Sequence, residues 1–298
     1  MIGSPQLEAA CRVLESHGGS PITSSHGPVP ELLERAVVAG PMFDVADRRF
    51  LLRVPNGMRV LVEDGAAVTI DCPAHLSDDD QLLWVLGSAW GALAYQRGLL
   101  PLHLSAVHLG HGIAGFGGRS GAGKSTLAAA LTTRGHTLAA DDVTGIDAST
   151  PGRPMALPGH KTLKLWGDAT TLVGVERDRP VRSDQPVDKY YVMVGDDDEA
   201  RRALPLRRIY QLIDRRGQPE GGAEFAISQR RGGEAVVTLE SAIYRPRFGE
   251  AILGRRRLFE LLAVVAAGTE VFDFERPMRR DRFWAGVDVL EDHLSAGG

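Results

Sequence analysis

Apolar residues alternate with polar ones at Val60 and Val62 and again at Val68 and Ile70, on either side of an Asp64-Gly65 pair that supplies a turn. The pattern predicts a β-hairpin, and residues 31–98 are expected to form a strand-rich module closed by a connecting helix. That helix is expected over "SDDDQLLWVLGSAWGALAYQRG", where a Ser-Asp capping signal precedes apolar residues at helical spacing and Gly98 ends the run. Residues 17–30 are rich in Gly, Ser and Pro, so residues 1–30 are expected to be a short helix followed by a linker. From residue 99 the pattern changes. "GIAGF" reads as a short buried strand, "KSTLAAALTTR" as a helix and "HTLAA" as a second strand. "RRIYQLI" and "TEVFDF" read as strands, and "GRRRLFELLAVVAAG" and "DRFWAGVDVLEDHL" as helices, which extends one α/β core over residues 99–298. In the last helix Phe283, Val287, Leu290 and Leu294 recur at helical spacing and are expected in the core. Between these elements "GVERDRPVRSDQPVDKYY" has no apolar periodicity and is expected to be a long exposed loop.

Composition narrows the function classes. With 298 residues, 43% of them hydrophobic, the chain has enough apolar material for one large domain or two smaller ones. A formal net charge of −4 argues against a general nucleic-acid binder, although Arg255–Arg257 and the pair Arg279 and Arg280 are local cationic clusters. Cys11 and Cys72 are the only cysteines, which supports neither a disulfide framework nor a cysteine zinc cluster and suits a reducing cytosol. The opening residues lack the basic-then-apolar order of a signal peptide, and "LFELLAVVAAG" is shorter than the ~20 apolar residues of a spanning helix. A cytoplasmic protein with no membrane segment is expected.

The chemistry concentrates at "GGRSGAGKST". Gly118, Gly123, Lys124 and Ser125 fit the G-x-x-x-x-G-K-S spacing in which backbone N–H groups of a glycine-rich loop wrap phosphate oxygens and the lysine adds a point charge. Gly118, Ser120, Gly121, Ala122, Gly123, Lys124, Ser125 and Thr126 are therefore the expected nucleotide-binding residues. The predicted strand, loop, helix and strand are the context such a loop requires. Directly after the second strand come Asp141 and Asp142. Two carboxylates facing a triphosphate suit phosphoryl transfer, one holding Mg2+ directly or through water and the other accepting the proton of an attacking hydroxyl. Their adjacency is expected to raise one pKa towards neutrality, against the pull of Mg2+ and Lys124. His103, His108 and His111 lie upstream without the spacing of a zinc pair. His103 draws attention because it precedes a strand leading to the loop.

His103, "GRSGAGKS" and "RGHTLAADD" together resemble the HPr kinase/phosphorylase family, whose fold is similar to that of phosphoenolpyruvate carboxykinase. The match is close over about residues 100–145 and loose elsewhere. The resemblance implies a P-loop kinase core of that type, ATP or another nucleoside triphosphate with Mg2+ as cofactors, Lys124 on the phosphates and Ser125 on the metal. It also implies Asp142 as base, supported by His103 and Asp141, and it allows a homo-oligomer. Where the HPr enzymes carry a glutamate in a Leu-Glu-Ile-Arg-Gly signature, this chain reads "LKLWG" with Lys164, which puts the phosphorolysis half-reaction and the HPr substrate in question. "GALAYQRGLLPLHLSAV" and "LKLW" instead resemble the HPr-kinase-like proteins of peptide-tailoring gene clusters, some of which phosphorylate the C-terminal serine of lasso-peptide precursors. The expected function is thus an ATP/Mg-dependent serine kinase acting on a precursor peptide. A kinase for free serine or another small hydroxyl compound, and a nucleotide-sensing regulator without transfer, are the alternatives. The segment around Arg177–Asp188, with Arg177, Arg179, Arg182 and Lys189, or the Arg255–Arg257 cluster is expected to supply a cation for the acceptor's carboxylate, the former as a closing lid.

Overall fold

The computed structural model describes residues 11, 14, 15, 20–159, 162–181, 187–194, 202–215 and 224–296. The chain divides into two compact units, Met1–Pro101 with Val181–Val187 and Tyr244–Leu261, and Leu102–Pro180 with Asp188–Ile243 and Leu262–Gly298. The helix expected before residue 17 falls outside the described residues apart from Cys11, Leu14 and Glu15.

In the first unit six strands, β1 (Thr23–His26), β2 (Val38–Ala39), β3 (Phe43–Ala46), β4 (Arg49–Arg53), β5 (Arg59–Glu63) and β6 (Ala67–Asp71), form one sheet in the order β1-β6-β5-β4-β3-β2. The alternation that predicts the hairpin sets its register: Val60 faces Ile70 and Val62 faces Val68. Asp64 and Gly65 both adopt positive φ, 55° and 64°, as a two-residue turn matched to the strand twist demands. Phe50, Leu52, Val60, Val62 and Ile70 are all buried. The Gly-, Ser- and Pro-rich stretch read as linker differs from expectation. Thr23–His26 is an edge strand parallel to β6, held by its backbone ladder while most of its side chains stay exposed, so composition gave no apolar signal for it. The helical segment runs as α1 (Asp78–Trp84), a π turn at Val85–Ala89 and α2 (Trp90–Gln96), with Ser77 Oγ accepting from the Asp80 N–H at 3.2 Å as N-cap.

Asp44 is a buried charge of this unit. Arg53 grips it bidentately at 2.6 and 2.9 Å, and the N–H groups of Leu33 and Gly40 donate to it at 3.1 and 3.3 Å. The Arg53 hydrogen bonds hold its pKa at about 2, against the upward push of burial. Because the folded value lies below the unfolded one of ~3.9, the stabilisation is complete above pH ~4 and is lost as pH falls towards 2, by about 2 kcal/mol. Urea denaturation between pH 5 and 2 is expected to show this loss, and Asp44→Asn should flatten that part of the curve. An unchanged pH dependence in the variant would show that the pair does not set acid stability.

The chain passes into the second unit through β7 (Leu100–Leu102). There β8 (Ser105–Leu109) and β9 (Gly112–Gly117) form a hairpin, followed by α3 (Lys124–Thr133), β10 (Leu138–Ala140), β11 (Thr144–Asp147), β12 (Met155–Ala156), β13 (Thr162–Trp166), α4 (Gly167–Val173) and β14 (Lys189–Met193). β15 (Leu204–Asp214), β16 (Ala226–Arg230), α5 (Gly233–Ser241), β17 (Glu270–Arg276) and α6 (Phe283–Ser295) follow, and the expected helix at Arg255–Gly268 lies between α5 and β17 in the chain. The sheet order is β10-β8-β9-β15-β12-β11, with β17 parallel to β15 and β16 antiparallel to β17. β15 also runs parallel to β9, so three parallel strands carry the centre of a mixed α/β sheet. α3 buries Leu127, Leu131 and an Ala128–Ala130 run against this core, and α6 adds Phe283, Val287, Leu290 and Leu294, the stripe expected from their spacing. β13 and β14 pair as a separate ribbon whose Leu163, Leu165 and Val192 enter the same core. Among the described residues, no helix is long and apolar enough to cross a membrane.

Candidate active site at the Gly118–Ser125 loop

The loop joins the end of β9 to the start of α3. Gly118, Gly121 and Gly123 take φ of 144°, 82° and 82°, values that L side chains rarely adopt. Gly123 is the N-cap residue of α3 and no side chain caps the helix, so the N–H groups of its first turn open towards the loop. Lys124 is buried, and its Nζ donates to the carbonyl oxygens of Gly118 at 3.0 Å and Arg119 at 3.4 Å. Burial lowers the Lys124 pKa, helped by Lys189 and opposed by Asp141 and Asp142.

Beneath the loop lies a residue that the spacing of the motif does not indicate. Arg276, at the end of β17, is buried and donates from Nη2 to the Ala122 carbonyl at 2.7 Å, and burial pushes its pKa down to about 10 against the nearby Asp214. A Cβ at Gly123 would stand 2.8 Å from that Nη2. Gly123→Ala is therefore expected to cost about 1–3 kcal/mol, from positive φ and displacement of the guanidinium together. Chemical denaturation checks this, and wild-type stability in the variant would show that the loop relaxes freely.

Asp141 and Asp142 follow β10 directly and do different things. Asp141 is buried, and its Oδ1 accepts from Ser105 Oγ at 2.6 Å and Ser125 Oγ at 2.8 Å, while its Oδ2 accepts from the Lys164 N–H at 3.1 Å. Asp142 has φ of 72° and is bracketed by the Val143 N–H donating to the Asp141 carbonyl at 3.0 Å, a three-residue turn of the strained left-handed kind. The turn presents the carboxylate to two partners: Lys164 Nζ at 2.8 Å on Oδ2 and His103 Nδ1 at 3.4 Å on Oδ1. Burial by itself would raise the Asp142 pKa, but Lys164, with His103 and Lys189, holds it at about 2. The expectation that adjacency raises one carboxylate towards neutrality is corrected for Asp142. The lysine at 2.8 Å outweighs the neighbouring acid, and the two carboxylates face different donors.

His103 reaches this place by a different route from the one its position suggests. It precedes β8, the hairpin partner of the loop strand, and the pairing of Ser105 with Phe116 brings it back beside the loop. Its N–H donates to the Ala242 carbonyl at 2.7 Å. Burial and Lys124 lower its pKa, outweighing Asp142 and Asp141, so the imidazole is neutral at neutral pH. Among the described residues, no group of three His, Cys, Asp or Glu is placed to hold a metal ion.

These residues line one cavity of about 410 Å3, which Ser120, Gly121, Gly123, Lys124, Ser125 and Thr126 enter from the loop side and His103, Asp141 and Asp142 from the other. Gly118 and Ala122 shape the loop behind it. Lys164, Leu165, Trp166 and Lys189 of the β13–β14 ribbon and Asp168, Ala169 and Leu172 of α4 also line it, as do Arg276, Met278, Arg279, Arg280 and Phe283.

No known family model matches this chain, and no curated protein matches it. Among solved structures it is similar to the Hpr(Ser) kinase/phosphatase from Coxiella burnetii, with 15% sequence identity over 66% of this chain and 99% of that one and a TM-score of 0.33. The chemistry rests on the cavity.

The described part of the charged stretch after α4, residues 174–180, is a mostly exposed loop as expected, and its arginines are engaged. Arg177 donates to Thr170 Oγ1 at 2.9 Å and to the Gly167 carbonyl at 2.8 Å, with its guanidinium 4.6 Å from the Tyr190 ring centre. Arg179 pairs with Asp178 at 2.7 Å and lies over Tyr191, and Lys189 is already in β14. Proline and charge hide these contacts from a reading by periodicity. Arg182 lies outside the described residues. Arg256 and Arg257 pair with Glu260 as exposed neighbours on one helix do, and Arg255 pairs with Glu250 of the preceding helix.

Proposed function

We propose that the chain is a phosphotransferase that moves the γ-phosphoryl group of ATP, or another nucleoside triphosphate, to an alcohol. The observation that carries this is the convergence of loop and carboxylates: Ser125 at the first turn of α3 donates to Asp141, and Asp142 stands beside it between Lys164 and His103. The hard oxygen donors Ser125 Oγ and Asp141 fit Mg2+, which takes few protein ligands and keeps waters and phosphate oxygens. Magnesium, when bound, would neutralise charge on the phosphates. Lys124 and the open N–H groups of the loop and of α3 would hold the β- and γ-phosphoryl oxygens. An acceptor hydroxyl in the cavity would lie against the ionised Asp142 carboxylate, which orients it and takes its proton as the new O–P bond forms, while the bond from the γ-phosphorus to the β–γ bridging oxygen breaks and the nucleoside diphosphate leaves. In a loose transition state the proton leaves late, so a carboxylate held low by Lys164 can still serve when it is well placed. The neutral His103 imidazole, 3.4 Å from Oδ1, is placed to receive that proton.

The resemblance carried by "GRSGAGKS", "RGHTLAADD" and "LKLW" supports the finer reading: a cytoplasmic serine kinase whose acceptor is a peptide, the C-terminal serine of a lasso-peptide precursor, with homo-oligomers allowed. One observation favours a second reading. Lys164 neutralises Asp142, as would suit a nucleotide sensor that transfers nothing. Incubation with ATP, Mg2+ and candidate acceptors, read by mass spectrometry, separates them. A phosphoryl mass increment on a peptide supports the kinase reading, an increment on free serine moves it to a small-molecule kinase, and bound nucleotide with no increment on any acceptor selects the sensor.

A further inference from the structure

Arg276 takes no part in holding Mg2+ or moving the acceptor's proton, yet it stands at the nucleotide cavity. It ends β17, which runs parallel to β15 as β9 does, so it emerges at the same edge of the sheet as the Gly118–Ser125 loop. Its side chain lines the cavity although only 5% of the residue is exposed. Nη2 donates to the Ala122 carbonyl at 2.7 Å, and Nε is buried with no hydrogen-bond partner. Among the described residues no carboxylate pairs with it, and Asp214, its neighbour across the β15–β17 register, attracts it from beyond ion-pair distance. Arg208, equally buried, shows what a structural arginine of this unit carries: it pairs with Glu270 at 3.1 Å and donates to the His293 and Leu294 carbonyls. A buried guanidinium without a counter-charge is costly, and an anion entering the cavity removes that cost. The carboxylates of the wall do not supply it. Asp141 is taken up by Ser105, Ser125 and the Lys164 N–H and Asp142 by Lys164 and His103, while Asp168 is exposed and makes no ion pair with Arg276. The other cations are placed differently: Lys164 and Lys189 act on Asp142, Arg279 pairs with Asp281, and Arg280 is exposed. Asp141 and Asp142 act on Lys124, whereas the carboxylate that acts on Arg276 is Asp214. Lys124 therefore belongs to the reacting end, and Arg276 to the Ala122–Gly123 side of the loop.

We propose that Arg276 is a second phosphate-binding cation, which meets the β-phosphoryl group of the nucleotide while Lys124 serves the γ end. The assignment rests on the phosphotransferase reading. When the bond from the γ-phosphorus to the bridging oxygen breaks, the electron pair stays with the leaving diphosphate and its negative charge spreads over the β-phosphoryl oxygens. A cation already buried and tied to the loop neutralises that charge without reorganising. A guanidinium has five N–H donors, and Ala122 engages Nη2 alone, so loop and phosphate can be held together.

The test measures MgADP and MgATP affinity by calorimetry for the full chain and two variants, with the thermal midpoint of each free of nucleotide. Arg276→Gln keeps an N–H donor for Ala122 and removes the charge, whereas Arg276→Lys keeps the charge without the fork. Arg276→Gln is expected to weaken MgADP and MgATP alike, by about tenfold to a hundredfold, the scale of one charge-assisted hydrogen bond. Its nucleotide-free midpoint should not fall, because a charge that burial disfavours is gone. Arg276→Lys should bind MgADP with an affinity between that of Arg276→Gln and the wild type. A loss confined to MgATP would place Arg276 at the γ-phosphoryl group and overturn the assignment. So would unchanged affinities in Arg276→Gln, or an Arg276→Lys variant that binds no better than Arg276→Gln, either of which would make Arg276 a brace of the Ala122 carbonyl. A lowered midpoint or a failure of Arg276→Gln to fold would equally make it structural. Each of these outcomes removes Arg276 alone, provided that the wild type binds. If the wild type binds neither nucleotide, the phosphotransferase reading falls with it.

Discussion

Asp142→Asn is expected to lower phosphoryl transfer by about a hundredfold to ten-thousandfold, the range lost when a positioned proton acceptor is removed. The amide keeps the shape of the carboxylate, so MgATP affinity should change far less than turnover. The ion pair adds a second consequence. Lys164 Nζ lies 2.8 Å from Asp142 and its side chain is only 18% exposed. Removing the carboxylate leaves that ammonium without its counter-charge, and a stability loss of about 1–3 kcal/mol is expected. The double variant Asp142→Asn/Lys164→Met should recover most of the stability and none of the turnover. Recovery of both would make the pair structural, and equal losses of turnover and MgATP affinity in the single variant would make Asp142 the main metal ligand. Transfer rates, calorimetric affinity and urea denaturation measure the three quantities.

Lys124→Met should cut transfer by about a hundredfold to a thousandfold or more, as loss of one preorganised electrostatic donor does at a transition state. The Met side chain keeps the buried stem. It gives up the hydrogen bonds to Gly118 and Arg119, but it also removes a charge that burial already disfavours. These opposing effects should leave stability within about 1 kcal/mol of wild type. A folded variant with unchanged transfer would remove the loop from the chemistry. A variant that fails to fold would instead make Lys124 chiefly a brace of its own loop.

What the sequence showed of this site is what local spacing encodes. Gly118, Gly123, Lys124 and Ser125 stand at fixed offsets, and Asp141 and Asp142 follow a strand of recognisable composition, so loop and carboxylates could be placed before any coordinates. The contacts that set their electrostatics come from distant parts of the chain. Ser105 reaches Asp141 through the β8–β9 hairpin, Lys164 comes from the ribbon and Arg276 from the far end of β17, and no pattern within a window of residues joins them. Lys164 was visible as a departure from a family signature, not as the partner of Asp142. Backbone details were hidden for another reason. The strained turn at Asp142 and the edge strand Thr23–His26 are held by main-chain hydrogen bonds, which leave little trace in side-chain type. The hairpin at Asp64-Gly65 and the apolar stripe of α6 were legible, because periodicity and turn chemistry are local properties.

The central claim is that this cavity passes a γ-phosphoryl group to an acceptor hydroxyl, and phosphorus NMR of one reaction tube tests it most directly. The wild-type chain is incubated with ATP, Mg2+ and a synthetic pool of short peptides ending in serine while the nucleotide signals are followed. The account predicts that a phosphomonoester signal grows in step with ADP and is absent with Lys124→Met. Growth of inorganic phosphate alone, or unchanged ATP in the presence of the wild-type chain, would contradict it.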